Sequence, residues 1–137
     1  MNPKDIVLRF NREIIERGRE AAYRELLAPT FVNRTAPPGA DAGPEGMRHT
    51  FEGLLRPALG DLRVEIHDQI AEGDKVTTRK TILGTHTGTL FGIPATGRAV
   101  AIAVIDIVRV ANGQYAEHWG VNSLPTVLAE LRAAGPA

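Results

Sequence analysis

The residues of this sequence that are best suited to acid–base chemistry lie near its C-terminal end. His118 and Asn122 are four positions apart in a stretch with the composition of a β-strand. Because side chains alternate between the two faces of a strand, an extended backbone places both on one face. An unperturbed imidazole, with a pKa of about 6.5, suits proton transfer at neutral pH, and a carboxamide can hydrogen-bond an oxygen atom. In the alternative interpretation, the ring only donates to the backbone or fills the wall of the sheet.

The dipeptide Asn112-Gly113 predicts which residues share a face with this pair. Asn-Gly is a strong hairpin signal, because a type I′ turn needs positive φ at both central positions. A two-residue loop pairs Ala111 with Gln114. Counting outward predicts three pairs on one face: Ile107 with His118, Ile105 with Gly120, and Ala103 with Asn122. The small residues among them indicate space for a ligand, unless large helix side chains fill it.

The opposite face of the same hairpin carries a second polar candidate. The predicted register pairs Asp106 with Trp119 there. A buried acid needs a hydrogen-bond partner, and the indole N–H is one candidate. Because counting does not decide which face is hollow, Trp119 is retained as a candidate pocket residue.

The helices that would pack against this hairpin lie mostly in the first half of the chain. Asn2 is suited to cap a first helix that ends near Gly18, a shorter helix ends at Pro29, and a third begins near Pro44. Ser123 is suited to cap a final helix. Apolar residues at helical spacing predict the buried side of each of the first three helices. In order, these sides are formed by Ile6, Phe10 and Ile14; by Ala22, Leu26 and Leu27; and by Met47, Phe51, Leu54, Leu55 and Ala58.

The second half of the chain has the two-residue period of β-strands. Four strands are predicted: from 61 to the turn at Gly73-Asp74, over 75–86, over 100–110 and over 114–121. Counting from that first turn places Asp68 opposite Arg79 as a structural ion pair. Helices followed by an antiparallel meander predict an α+β layer fold.

Composition narrows the class of protein. The chain has 137 residues, which predicts one domain over 1–137. Sixteen basic residues balance sixteen acidic ones, so no net charge favours nucleic acid or an anionic membrane. The most apolar stretch, 99–105, is much shorter than the roughly 20 residues that cross a bilayer. The absence of cysteine and of a secretory signal predicts a cytoplasmic protein, and the spacing of the four histidines indicates no metal site.

Several short motifs follow one another in a characteristic order. The sequence has GTHTG at 84–88, FGIPATG at 91–97 and EHW at 117–119, preceded by FVN at 31–33 and GPEGMR at 43–48. In this combination the sequence resembles the SnoaL-like polyketide cyclases of the nuclear-transport-factor-2-like superfamily. The resemblance is densest from 71 to 131.

The resemblance implies a cone-shaped α+β barrel whose curved antiparallel sheet encloses a pocket, often in a homodimer and without a cofactor. The family's type activity is intramolecular aldol closure of a polyketide ester, in which an aspartate takes the proton from the carbon next to a carbonyl. Asn122 stands where the family has that aspartate, and a carboxamide cannot act as a base. His118 is the nearest replacement. Asn33 is carried over as a pocket residue, although a turn-forming asparagine is an alternative.

These observations predict a cyclase-like enzyme acting on a small apolar or polyketide-like carbonyl compound. His118 and Asn122 are the predicted catalytic residues, and four residues are predicted to bind substrate: Asn33, His86, Ala103 and Trp119. A non-catalytic binding protein of the same fold is the first alternative. A hydroxylase or epoxide hydrolase is the second, with Asp106 as its interior carboxylate.

Overall fold

The computed structural model describes residues 1–137, and its helical elements lie where the sequence predicts them. In chain order they are α1 (Pro3–Arg9), a continuous π-helical segment (Phe10–Glu16), α2 (Glu20–Leu26), α3 (Pro44–Arg48), a second π-helical segment (His49–Leu55), α4 (Arg56–Ala58) and α5 (Leu124–Ala134). No helix is both long enough and apolar enough to span a bilayer.

The start of α1 is fixed by its cap, as predicted. The side-chain oxygen of Asn2 accepts a hydrogen bond from the backbone N–H of Asp5 at 3.0 Å, and the Asp5 carboxylate accepts one from the Asn2 backbone at 3.2 Å. This reciprocal capping box satisfies two backbone donors that the helix itself cannot. Ser123 precedes α5, but its hydroxyl accepts from the backbone N–H of Ala103 instead of capping the helix.

Five strands form a single curved sheet in the order β1-β5-β4-β3-β2. The strands are β1 (Leu27–Asn33), β2 (Leu59–Glu72), β3 (Lys75–His86), β4 (Ala99–Ala111) and β5 (Gln114–Asn122). The sequence did not predict β1, because Pro29 suggested only the end of a helix. Pro29 lies in this edge strand, where a residue without a backbone N–H is tolerated. The α+β cone-shaped fold is confirmed.

The predicted register of the β4–β5 hairpin is correct at the turn and wrong beyond it. Ala111 pairs with Gln114 and Val110 with Tyr115, but Arg109 then pairs with Glu117. Ala116 is therefore an extra residue, a β-bulge that moves every later pair by one position. An unbulged ladder would set Glu117 opposite Val108 on the core face, where a carboxylate is costly.

The bulge reverses the face of each predicted pair. His118 pairs with Val108 instead of Ile107, and Asp106 pairs with Gly120 instead of Trp119. Asn122 pairs with Val104 instead of Ala103. Asp106 and His118 thus share the concave face, whereas the odd-numbered residues of β4 face outward. By contrast, Asp68 does pair with Arg79 as predicted, with 2.6 Å between carboxylate and guanidinium.

The core lies between the concave face of the sheet and the helices. The aromatic rings of Phe10 and Tyr115 stack there at 4.2 Å, and Phe51 meets Phe10 edge-on at 6.1 Å. Most of the predicted helix stripes are buried, including Ile6, Ile14 and Leu26, each at most 3% exposed, whereas Leu54 is half-buried and lines the cavity. Helices therefore cover one part of the concave face and leave the rest open.

The GTHTG motif packs against the end of the long helical stretch. A Cβ atom on Gly88 would lie 2.2 Å from the backbone oxygen of Pro57, closer than any real contact. The backbone N–H of Gly88 also donates to the carbonyl of Ala58 at 3.0 Å. Only glycine permits this approach between α4 and the segment after β3.

Replacing Gly88 with alanine should therefore destabilise the fold by about 1–3 kcal/mol, since the obstacle is a backbone atom that cannot rotate away. Urea unfolding measures this change, and Thr89→Ala at the exposed neighbouring position should shift stability by less than about 0.5 kcal/mol. Equal effects of the two substitutions would contradict the proposed packing role.

Candidate functional site

A cavity of about 560 Å³ lies between the concave sheet face and the helical layer. Its walls are mainly apolar, with residues such as Phe51, Leu55 and Ile102, and this volume suits a small organic ligand. Five polar or charged side chains line it at the sheet: Asn33, Lys80, Asp106, His118 and Asn122. A more open depression of about 580 Å³ beside α5 carries only Arg98 and Glu130 as charged residues.

Three neighbouring strands bring a lysine, an aspartate and a histidine together at the floor of the cavity. The Oδ2 atom of Asp106 lies 3.5 Å from Nζ of Lys80 and 3.3 Å from Nε2 of His118. Gly120 makes this possible, because a Cβ there would lie 2.8 Å from the His118 ring. The carboxylate thus has a cation on one side and an imidazole on the other.

Asparagines hold both outer members of this cluster. Nζ of Lys80 donates to Oδ1 of Asn11 at 2.7 Å, and the amide nitrogen of Asn11 donates to the carbonyl of Val7 at 2.8 Å. On the other side, Nδ1 of His118 lies 2.9 Å from Oδ1 of Asn33. The cluster therefore runs from the first helical stretch, through three strands, to the end of β1.

The hydrogen bonds of Asn33 assign the protonation of the His118 ring. The same Oδ1 atom accepts from the backbone N–H of Thr35 at 3.2 Å, so it must be the oxygen that faces His118. Nδ1 of His118 therefore carries a hydrogen. Its Nε2 faces a carboxylate oxygen, and two bare lone pairs would repel each other. One proton must lie between His118 and Asp106, on either partner.

Burial and charge act against each other at Asp106 and Lys80. Burial alone would raise the pKa of Asp106, but the Lys80 charge and the hydrogen bond to His118 outweigh it, so this pKa lies below its ordinary value. Burial lowers the pKa of Lys80, and the attraction of Asp106 offsets this only in part. The site thus favours an ionised aspartate and an amine that gives up its proton readily.

Half of the Asp106 carboxylate has no partner. Lys80 and His118 both approach Oδ2, whereas the buried Oδ1 atom makes no hydrogen bond within the protein. A carboxylate oxygen left unpaired at the floor of an apolar cavity is a strong hydrogen-bond acceptor. It is the atom of this site best able to accept a proton from a bound molecule.

The cavity brings together three of the residues predicted from the sequence. His118 and Asn33 are bonded to each other, and Asn122 lies at the exposed mouth. The Oδ1 atom of Asn122 accepts from the backbone N–H of Leu124 at 2.9 Å, which leaves its amide nitrogen as the group that can donate to a ligand.

The other three predicted residues lie outside this cavity. Ala103 is exposed on the outer face, because the bulge changed the register. Trp119 also faces outward, with Nζ of Lys75 at 5.5 Å from the centre of its ring. His86 is fully buried elsewhere, and its Nδ1 atom lies 2.9 Å from the Thr96 hydroxyl. The expectation that these three line the pocket is wrong.

Lys80 and Asn11 were not predicted as site residues from the sequence, although the alternation of residues in β3 indicates that Lys80 faces the core. In β3 the residues Val76, Thr78, Lys80 and Ile82 alternate, so that a lysine stands at a core-facing position. Asn11 has no such signal, because its partner is 69 residues away. No group of three or more histidine, aspartate or glutamate side chains is placed to hold a metal ion.

Comparison with known proteins identifies relatives of this chain. The family model described as SnoaL-like polyketide cyclase matches residues 5–131. TsrD from Streptomyces laurentii is 28% identical, with a TM-score of 0.80 and coverage of 98% of this chain and 95% of TsrD. IdmH from Streptomyces antibioticus, described as a candidate polyketide cyclase, is 28% identical, with a TM-score of 0.83 and coverage of 96% and 99%.

A more distant structure supports the fold alone. AclR from Streptomyces galilaeus, described as a candidate hydroxylase, is 24% identical, with a TM-score of 0.81 and coverage of 96% of this chain and 81% of AclR. No curated protein is detectably similar in sequence.

The cluster predicts strong coupling between Lys80 and Asp106. Lys80→Met should cost about 3–5 kcal/mol, because it leaves a buried carboxylate without its cation. Adding Asp106→Asn should recover part of that loss, with a coupling energy of about 1–3 kcal/mol. Urea unfolding of the wild type, both single variants and the double variant measures it.

The exposed pair Asp68 and Arg79 is the matched control on the same sheet. Asp68→Asn and Arg79→Met should show a coupling below about 1 kcal/mol, because solvent screens this pair. If the buried pair coupled no more strongly than the exposed one, the electrostatic description of the cavity floor would be wrong.

Proposed function

Because the chain belongs to the SnoaL-like polyketide cyclase family, we propose that it is a cofactor-free enzyme that catalyses intramolecular aldol-type ring closure. Its substrate is a small, largely apolar carbonyl compound, bound in the cavity of about 560 Å³. The reaction needs a base near an acidic C–H and donors near the oxygen that becomes negative.

The unpartnered Oδ1 atom of Asp106 is the observation that carries this proposal. Asn122 occupies the position of the family's aspartate and cannot ionise, so it cannot serve as the base. Asp106 supplies a carboxylate from the neighbouring strand, and its lowered pKa keeps it ionised at neutral pH. Its buried position also removes the hydration that would weaken it as an acceptor.

In this mechanism Asp106 and His118 act as one proton-transfer unit. Oδ1 of Asp106 takes the proton from the carbon next to a carbonyl, and the resulting enolate carbon attacks a second carbonyl within the same molecule. The new alkoxide receives a proton from the unit, in which His118 shares a hydrogen with Asp106. The amide nitrogen of Asn122 donates to a substrate oxygen at the mouth of the cavity.

The proposal predicts that His118→Ala and Asp106→Asn each slow ring closure by about 10²-fold or more, since each removes a member of the acid–base unit. The assay uses an aromatic polyketide methyl ester with an acidic methylene group, with product followed by mass spectrometry and methylene deuterium exchange by NMR. His67→Ala, at an exposed histidine, should leave both rates unchanged.

Asn122→Asp separates the alternatives. If wild type is inactive and only Asn122→Asp closes the ring, the native chain is a non-catalytic binding protein. Incubating wild type with an apolar epoxide in ¹⁸O-labelled water tests the second alternative, in which Oδ1 of Asp106 would orient a water molecule. Diol formation without any exchange at the methylene group would favour the hydrolase and contradict the cyclase.

We further propose that the protein forms a homodimer through the outer face of the sheet. Ile105 pairs with Val121 there, and they are 48% and 69% exposed. Ile107, at 38% exposed, pairs with Trp119 beside them, so the apolar side chains form a continuous patch. A second copy would bury this patch.

This assembly predicts a light-scattering mass of twice the 14.8 kDa chain for the wild type. Ile105→Glu should shift the protein to monomer, because it would place a carboxylate in an apolar contact. Leu8→Glu, at an exposed apolar residue of α1 on the helical side of the sheet, is the control. A monomeric wild type at micromolar concentration would contradict the assembly.

A further inference from the structure

The cavity contains a buried amine that the proposed proton transfer does not use. Lys80 is only 4% exposed, whereas the other two lysines, Lys4 and Lys75, are exposed. Burying an ammonium group is costly, and an apolar residue of similar volume is often no less stable at such a position. A lysine that lines a ligand cavity is therefore a candidate for chemistry rather than for packing alone.

We propose that Lys80 forms an imine with the carbonyl group of the bound ligand. The inference deepens the proposed function, because it rests on the same cavity accepting a carbonyl compound and names the nucleophile within it.

The hydrogen-bond partners of Nζ also accommodate the neutral amine that forms once Lys80 has given up a proton. Its short contact, 2.7 Å, is to the uncharged amide oxygen of Asn11, whereas the Asp106 carboxylate is 3.5 Å away. A neutral amine has two N–H donors for these two acceptors and keeps its lone pair free. An ammonium would carry a third N–H for which the protein supplies no acceptor.

The groups around Lys80 favour loss of its proton. Burial lowers its pKa, and the Asp106 carboxylate, 3.5 Å away, stands beside it as an acceptor. Tyr115 lines the same floor, but burial raises the pKa of its phenol well above the ordinary value, so it stays neutral. The remaining titratable residues of the cavity belong to its helical and loop side: Asp41, Glu45 and His49.

The reaction balances without any further reagent. Lys80 transfers its extra proton to the Asp106–His118 unit, and Nζ then attacks the carbonyl carbon. A C–N bond forms, the π electrons of the C=O bond move to oxygen, and the unit returns the proton to that oxygen. The carbinolamine then loses its hydroxyl group and the N–H proton as one molecule of water. The resulting imine is already protonated, and its positive charge makes the neighbouring C–H more acidic; this is the proton that Asp106 would remove.

Reductive trapping with 2-naphthaldehyde and sodium cyanoborohydride tests the inference, because reduction converts an imine into a stable secondary amine. Peptide mapping of the intact wild-type chain should locate the label on Lys80 at least about tenfold faster than on Lys4 or Lys75 at pH 7. Labelling of Lys80 should also persist to lower pH than labelling of the two exposed lysines.

Lys80→Arg keeps a cation for Asp106 but has no nucleophile, so it should lose the fast label. Lys75→Arg, at an exposed lysine five residues earlier, should keep it. Equal labelling of all three lysines in the wild type, or none on Lys80, would overturn the inference, and this comparison does not depend on any variant folding.

Failure of the inference and failure of the proposed function give different results. Methylene exchange that persists in Lys80→Arg, together with no label on Lys80 in the wild type, would leave the cyclase intact and exclude the imine. A fast label on Lys80 with no ring closure by the wild type would support the imine and contradict the cyclase.

Discussion

A carboxylate buried beneath an apolar cavity is the constraint on which the rest of this structure depends. Asp106 stands at a core-facing position of β4, where an unpaired charge would be strongly destabilising. Lys80 and His118 approach it from the strands on either side, and the asparagines beyond them hold both in place. The sheet therefore carries one connected polar network through an otherwise apolar core. Asp106 also lines the cavity between the sheet and the helices, and one of its carboxylate oxygens has no partner there.

One extra residue in β5 makes this network possible. The bulge at Ala116 lets Tyr115 stay in the core and sends Glu117 to the outer face, where Arg109 binds it at 2.6 Å. The same shift turns His118 inward, onto the face of Asp106. A bulge of this kind re-aims side chains without changing the order of the strands. The position of a single alanine thus decides whether the histidine faces the cavity or the solvent.

The departure from the family pattern at Asn122 is consistent with a site in which the carboxylate has a different source. An amide at the cavity mouth can donate to an oxygen but cannot remove a proton. Asp106 on the adjacent strand provides the acidic group, with a histidine and a lysine in contact with one of its oxygens. Under the proposed function, the same fold keeps a base within its cavity while the position of that base on the sheet changes.

The sequence by itself determined the order of the helices and of the last four strands, the cap at Asn2, the turn at Asn112-Gly113 and the family of the chain. These features depend on neighbouring residues or on short periodic patterns, which a linear reading captures. It also singled out His118, Asn33 and Asn122, which the fold brings to the same cavity.

Only the tertiary structure decided the register beyond the turn, and with it the position of Ala103, Trp119 and Asp106. A bulge has no strong sequence signature, and one extra residue reverses the face of every side chain after it. The edge strand β1 and the contact between Lys80 and Asn11 join segments far apart in the chain. Such contacts depend on how the sheet closes against the helices, because no local pattern encodes a distance through space.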